Sequence, residues 1–141
     1  MVNSDLVGCE MLTRIRNANL VKARSVNVIK TNLTIKIAEI LKKEGFIKSF
    51  EEFGPVFITQ NGLVHKYISL TLKYKGPKLI GFITGLKRVS KSGLRIYSRQ
   101  RDIPKVLGGI GMAVCSTPKG LLTDRLAKLH NVGGEILFYI W

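Results

Sequence analysis

The chain has 141 residues, 45% of them hydrophobic, which is enough to bury the core of one domain or of two small lobes sharing a boundary. Twenty-three Lys and Arg against nine Asp and Glu leave +14 at neutral pH. That self-repelling excess is relieved by a polyanion, so nucleic acid is the first partner expected and an anionic membrane surface the second.

The membrane reading is the weaker one. No apolar run approaches the roughly 20 residues that span a bilayer, and the basic residues do not gather on one amphipathic face. The N-terminal MVNSDLVGCE has no cationic start followed by an apolar stretch, and no Arg- and Ser-rich, acid-poor leader. The expectation is a chain that works where it is made, or in mature form.

In chain order, Ser4 is a plausible N-cap for a first helix whose apolar stripe is Val7, Met11 and Ile15 with Leu12 beside it. Arg14, Arg16 and Asn17 take its other face, and Lys22 and Arg24 fall in the turn that follows. Ser25 to Lys30 alternates around Val26 and Val28 and predicts a strand. A second helix is predicted from Thr31 or Asn32, striped by Leu33, Ile37 and Leu41 with Ala38 and Ile40 adjacent. Lys42 and Lys43 sit at its negative end and Gly45 suits its C-terminal cap. A strand from Phe46 to Phe50, a loop near Gly54-Pro55 and a hairpin partner over Lys66–Tyr74 complete an α-β-α-β-β lobe. Lys75-Gly76-Pro77-Lys78 breaks the pattern, so the expected division is 1–76 and 77–141. The second lobe is predicted to be mostly β, with segments near 81–89, 94–98, 110–116 and 134–140. Its one helix, Thr123 to about His130, would carry Leu122, Leu126 and Leu129 on one side. The fold class is α+β.

The candidate chemistry centres on Ala113–Arg125, AVCSTPKGLLTDR. A nucleophile elbow needs glycines on both sides of its serine, and Ser116 has Val114 and Pro118 there. His130 has no evident orienting carboxylate for a triad. Gly108-Gly109-Ile110-Gly111 lacks the third glycine of a dinucleotide fingerprint, and Lys119 lacks a Walker-type spacing. Those glycines are expected in tight turns. What remains is a hydroxyl-rich turn beside a lysine. Ser116 and Thr117 would hydrogen-bond an irregular RNA, Lys119 would meet a phosphate, and Gly120 would admit close approach of a ribose or base edge. The alternative is structural: Thr117 capping a helix with Pro118 at its first position. Arg88, Arg95 and their basic neighbours between Lys87 and Lys105 favour a polyanion surface, on which Tyr97 could stack on a base or sugar or instead sit in the core. Cys9 and Cys115 are expected as small buried apolar side chains in a reducing compartment. With His65 and His130 isolated from both, no metal-ligand spacing exists.

Several ordered motifs resemble one family. Met11-Leu12-Thr13-Arg14-Ile15-Arg16-Asn17-Ala18, Glu44-Gly45-Phe46-Ile47 and Lys87-Arg88-Val89-Ser90 come first. Gly93-Leu94-Arg95-Ile96-Tyr97, Gly109-Ile110-Gly111, Ser116-Thr117-x-Lys119-Gly120, Thr123-Asp124-Arg125 and Gly133-Gly134-Glu135-Ile136-Leu137 follow in order. Together they are similar to the bacterial-type ribosomal protein eight of the small subunit. The resemblance covers nearly the whole chain.

It implies a non-enzymatic primary binder of small-subunit ribosomal RNA that clamps an irregular helix of the central domain, among neighbouring small-subunit proteins. It implies no cofactor, no small-molecule substrate and no membrane partner. Carried onto this sequence, its RNA-binding residues in the C-terminal lobe are Ser116, Thr117, Lys119, Gly120, Tyr97 and Glu135, with Arg95 and Arg88 in the basic segment. Arg14, Arg16, Lys30 and Thr31 would add phosphate contacts from the N-terminal lobe. Glu135 would accept from a nucleobase amine or hold the Ser-Thr loop in shape.

Pro118 replaces the family's usual serine, removing a hydroxyl and an amide donor. Leu126 replaces a glutamate, so the reciprocal cap with Thr123 cannot form, although Thr123 still can cap. Ser90-Lys91-Ser92-Gly93 lacks a usual proline. The segment from Glu51 to His65 is unlike the common form and gets no role. The endings GGEILFYIW and LGGIG look plastid-like, so a plastid (chloroplast) stroma location is expected, with a bacterial cytoplasm as the alternative. A regulator binding a messenger that mimics the ribosomal site is the alternative function, and a hydrolase using Cys115 or Ser116 the third.

Overall fold

The computed structural model describes residues 3–58, 60, 64–91 and 93–141, with side chains described for 10–52, 60, 67–91 and 93–141. The chain divides into two compact units, Met1–Phe82 and Ile83–Trp141. The expected boundary at 76/77 falls instead inside a short ribbon of the first unit. There Tyr74–Lys75 (β4) pairs with Ile80–Gly81 (β5), and Lys75-Gly76-Pro77-Lys78 forms the turn region between them. Gly76 takes φ +75, the left-handed region that glycine enters without a Cβ clash.

In the first unit, Asn3–Leu20 forms α1, Ser25–Ile29 β1, Asn32–Lys43 α2, Ile47–Ile58 β2 and Val64–Leu72 β3. This is the α-β-α-β-β order that periodicity predicts. The three strands run antiparallel in the order β1-β3-β2. α1 packs against β1 and α2 against β2. Met11, Leu12, Ile15, Ile37, Ala38 and Leu41 from the helices meet Val28, Ile68, Leu70 and Leu72 from the sheet in the buried set. Both helices therefore bury most of the stripes their sequences predict, but Leu33 and Ile40 of α2 are only half-buried and Thr34 is buried in their stead. Val7 and the expected cap at Ser4 lie outside the described side chains.

α2 is fully specified at both ends. The Thr34 amide donates to Thr31 Oγ1 (3.1 Å) and the Thr31 amide donates to Thr34 Oγ1 (2.8 Å), a reciprocal cap made by two threonines. Gly45 follows at φ +82.

β2 is longer than its expected span. It runs past Gly54-Pro55, expected as a loop, and the ladder with β3 shifts register between Phe53 and Phe57. A proline cannot donate to a ladder, so it is accommodated at an irregularity rather than ending the strand. Tyr74, expected in the hairpin partner, belongs to the next ribbon. Its hydroxyl donates to Ala23 O at 2.5 Å.

The second unit is mostly β with one short helix. Leu86–Arg88 (β6), Tyr97–Ser98 (β7), Met112–Thr117 (β8), Gly120–Thr123 (β9) and Gly134–Ile140 (β10) form an antiparallel sheet, and Asp124–Leu129 (α3) follows β9. The order is β6-β10-β8-β9, with β7 also on β10. Ile103, Val106, Ala113, Cys115, Ala127 and Ile136 make its core, covered by Val89, Leu122, Val132, Tyr139 and Trp141.

The structural alternative for Thr117 and one expectation for the last helix fail here. No helix follows Thr117, because residues 120–123 pair with β8 as a strand. α3 does not bury Leu122, Leu126 and Leu129: Leu122 is in β9, Leu129 is exposed, and Ala127 faces the core. The apolar residues of β9 continue into α3 at a spacing that mimics one helical stripe. The Thr123 cap is present, its Oγ1 accepting from the Leu126 amide at 3.3 Å.

Candidate nucleic-acid interface

β10 is the strand that assembles the candidate residues. Glu135 lies opposite Tyr97 of β7 on one side and opposite Ser116 of β8 on the other. Directly opposed residues in an antiparallel sheet share a face, so Tyr97, Glu135 and Ser116 form one row across three strands. Tyr97 is 71% exposed and Ser116 is exposed, whereas Glu135 is half-buried between them.

Two glycines permit this row. A Cβ on Gly134 would stand 2.1 Å from Ser116 O, and one on Gly133 would stand 2.4 Å from Ser98 O. The start of β10 is thus held against both neighbouring strands more closely than any side chain allows.

The carboxylate of Glu135 does not stand free in the cationic surroundings. Arg95 Nη1 donates to its Oε1 at 3.0 Å. Arg95 and Tyr97 are in turn held by Ser90, which is buried. Ser90 Oγ donates to Ile136 O (2.6 Å) and accepts from the Ile96 amide (3.0 Å), while the Ile136 amide donates to Ile96 O (2.9 Å). Ser90 has a positioning role that sequence reasoning missed. It touches the row only through its neighbours, and its one signal was its place in a family motif.

The β8–β9 hairpin forms the edge of the row. Thr117 pairs with Gly120, leaving Pro118 and Lys119 as a two-residue loop. Strand alternation exposes Ser116 and turns Thr117 inward, where it is 9% exposed. The Thr117 hydroxyl donates to Gly120 O (2.8 Å) and accepts from the Lys119 amide (3.2 Å). It shapes the turn instead of protruding from it. Pro118 sits at the first loop position, outside the ladder, where its missing N–H costs no sheet bond and its fixed φ suits the turn. Gly120 has φ +103 with nothing within 4 Å of a Cβ position, so this edge is open.

Lys119 and Arg95 are exposed and Arg88 is half-buried in β6 opposite Phe138. Beside the row lies an open hollow of about 480 Å³ lined by Tyr97, Ser98, Arg99, Asp102 and Tyr139 with neighbouring apolar residues. Burial and then the Cys115 thiol hold the Tyr139 phenol above its ordinary pKa.

The candidates of the first unit are more committed. Arg14 Nη2 contacts Glu10 Oε1 at 2.8 Å and its Nη1 donates to Asn27 O at 3.1 Å. Lys30 is ion-paired with Glu52, and Thr31 caps α2. Arg16 is exposed on α1.

The geometry has no use for Cys115 as a nucleophile. It is fully buried, and burial, then the Asp124 carboxylate, push its thiol up to about 11, so the reactive thiolate is scarce at neutral pH. Among the described residues no group of three His, Cys, Asp or Glu could hold a metal ion. No helix described is long and apolar enough to cross a membrane.

A family model for ribosomal protein S8 matches residues 7–141. The chain belongs to the ribosomal protein S8 family. That is a family of structural small-subunit proteins, not of enzymes, and every motif of the row and its hairpin lies within the match. The chain is 60% identical over all 141 residues to the small ribosomal subunit protein uS8c of Euglena gracilis, covering 100% of both chains. It is 54% identical over 132 residues, 94% of each chain, to the small ribosomal subunit protein uS8 of Rippkaea orientalis. The uS8c of Chlorokybus atmophyticus is 50% identical over 141 residues, 100% of each. The S8 resemblance drawn from the motifs is thereby shown, and plastid-type relatives stand among the similar chains.

Proposed function

We propose that the chain is an architectural protein of the small ribosomal subunit that binds its ribosomal RNA and clamps an irregular helix of the central domain. The row Tyr97–Glu135–Ser116, with Lys119 and Gly120 at the tip of the β8–β9 hairpin beside it, is the observation that carries this reading. An exposed ring and an exposed hydroxyl stand on one face of the sheet of a cationic protein, next to a turn that offers a cation and an open glycine. The large charge excess steers the chain to RNA and supplies salt-dependent affinity. The row then selects local shape: Tyr97 stacks, Ser116 hydrogen-bonds a sugar or base edge, and Gly120 admits the RNA backbone. Thr117 acts through the turn it closes. Glu135 holds Arg95 in place, so the row presents a nearly neutral, hydrogen-bonding centre with Arg88 and Lys119 beside it. From the first unit Arg14, Arg16 and Lys30 meet phosphate, and Thr31 acts by capping α2.

Neighbouring small-subunit proteins are the further partners. The uS8c relatives support a plastid ribosome in the stroma, and the uS8 relative of Rippkaea orientalis leaves a bacterial cytoplasm as the next location.

The test is binding to a small-subunit RNA fragment and to an unrelated hairpin over a salt series. Ser116→Ala is expected to remove most of the preference without changing the thermal midpoint. Thr117→Ala is expected to lower both, and neither should alter the salt slope, since no phosphate contact is deleted. Preference that survives both substitutions overturns the site.

A further inference from the structure

The hollow beside the row has a lining that the row itself does not explain. Its volume, about 480 Å³, lies in the range of small-ligand sites. Ile96, Pro104 and Ile136 give it apolar surface, Tyr97 and Tyr139 aromatic surface, and Ser98, Arg99 and Asp102 its polar groups. Ile136 and Tyr139 pack with the core of the second unit, whereas Glu135 alternates with Ile136 and stands on the opposite face of β10. The hollow therefore opens around the edge of the sheet from the row, where β7 pairs only with β10 among the described residues. Tyr97 belongs to both.

Asp102 is the residue out of keeping with its surroundings. It is the only Asp or Glu between Glu52 and Asp124, and its chain neighbours Arg99, Arg101 and Lys105 are exposed cations. Among the described residues its carboxylate pairs with none of them. A carboxylate only accepts hydrogen bonds and repels phosphate, so on an RNA-binding protein it answers to a part of RNA that donates. We propose that the hollow receives one guanine base, unstacked from the bound RNA, whose Watson–Crick edge is read by Asp102. The proposal rests on the RNA-binding reading above.

Guanine presents two adjacent donors on that edge, N1–H and an N2 amine hydrogen, which match the two carboxylate oxygens. Adenine and cytosine present one amine beside a ring-nitrogen lone pair that a carboxylate repels. Uracil presents a single N–H between two carbonyls. The aromatic and apolar lining suits the faces of an extruded base, and Arg99 supplies a cation for the nucleotide's own phosphate. Other occupants fit less well. A bare phosphate would meet Asp102, and a Lys or Arg from a neighbouring protein would meet Arg99, Arg101 and Lys105.

The test measures binding of the full chain to a small-subunit RNA fragment and to an unrelated hairpin. Removing a negative charge by itself strengthens binding to any RNA, so Asp102→Asn separates charge from base reading by sign. The expected result is a roughly tenfold weaker hold on the fragment, an undiminished hold on the hairpin and a native thermal midpoint. The unpaired guanines of the fragment are then replaced one at a time by adenine. One replacement should cost the native chain a similar factor and cost Asp102→Asn nothing further. Affinity that rises for both RNAs, or the absence of any such guanine, overturns the site. So does an Asp102→Asn chain that binds the fragment as the native one does yet enters small subunits poorly, which would give the hollow to a neighbouring protein. A native chain without preference for the fragment overturns the RNA-binding reading instead, and this site with it.

Discussion

Gly134→Ala separates the row from the charge around it without touching a polar side chain. The added Cβ would stand 2.1 Å from Ser116 O and 2.9 Å from Ser116 C, both backbone atoms that cannot rotate away. Reaching an acceptable contact requires β8 and β10 to part by close to 1 Å at the Glu135–Ser116 pair. Added to a ladder bond of about 2.9 Å, that exceeds the length at which an N–H···O contact still counts as a hydrogen bond. Overpacking of this kind costs about 1–3 kcal/mol, and the stiffer unfolded chain of alanine returns about 0.4–1 kcal/mol. The net loss is about 1–2 kcal/mol, which for a chain this size lowers the thermal midpoint by roughly 3–8 °C. Tyr97, Glu135 and Ser116 would no longer stand at the spacing that the native sheet sets.

The assay pairs thermal unfolding with RNA binding over a salt series. Preference for the small-subunit fragment over an unrelated hairpin should fall about tenfold, which is about 1.4 kcal/mol of discrimination. The slope of log affinity against log salt should stay within measurement, because every Lys and Arg remains. Gly93→Ala is the control, in the loop that leads to Arg95: nothing lies within 4 Å of its Cβ position and its φ is ordinary. If Gly134→Ala keeps both native preference and native midpoint, or if it loses salt slope along with preference, the row does not select RNA shape.

Ser90→Ala should lower stability by about 1–3 kcal/mol, because it strands the buried Ile136 carbonyl bond and the Ile96 amide; unchanged denaturant midpoints would argue against it. Its RNA preference should fall too, since Arg95 and Tyr97 lose their anchor. Cys115 predicts a pH dependence. Its folded-state pKa, about 11, lies above the ordinary 9.0, so the unfolded chain releases this proton first as pH rises. The stability is complete below pH 9 and falls between pH 9 and 11 by up to about 3 kcal/mol. Cys115→Ala should flatten that fall relative to the native protein in chemical denaturation at pH 8, 9.5 and 10.5. Pro118→Ser should lower the midpoint by the equivalent of about 0.4–1 kcal/mol through a looser unfolded chain, with RNA preference kept within threefold. A larger loss of preference would mean that the proline ring itself meets RNA.

The first unit was legible because independent local signals agreed. For α2, the cap at Thr31, the Ile37–Leu41 stripe, the closing lysines and Gly45 all point to one span, and Asn32–Lys43 is that span within a residue. β9 was hidden because its four residues, Gly120–Thr123, are too short to show alternation and run directly into α3. Leu122, Leu126 and Leu129 then counterfeit a helical stripe, although one is a strand residue and one is exposed. The row was illegible for another reason. Tyr97, Ser116 and Glu135 come from three strands, and no local pattern says which strands are neighbours. Motif resemblance named these residues, but their shared face and the inward turn of Thr117 follow only from pairing and register. The glycine pair at the start of β10, Gly133-Gly134, was the one local hint of close strand approach.

A protein carrying +14 binds polyanions of many shapes through charge alone, so discrimination has to come from groups that charge does not dominate. The second unit places such groups together. Glu135 offsets Arg95 at the centre of the row, Ser116 offers a neutral hydroxyl, and Tyr97 offers a ring that gains nothing from a bare phosphate. Had the row been three more lysines, affinity would rise for matched and unmatched RNA equally, and the ratio between them would not. The buried serine beneath it and the two glycines beside it carry no charge either, yet they set the spacing on which the ratio depends. On the proposed function, the cations would govern how strongly and how fast RNA is met, while Ser90, Gly133 and Gly134 would govern, at one remove, which RNA stays.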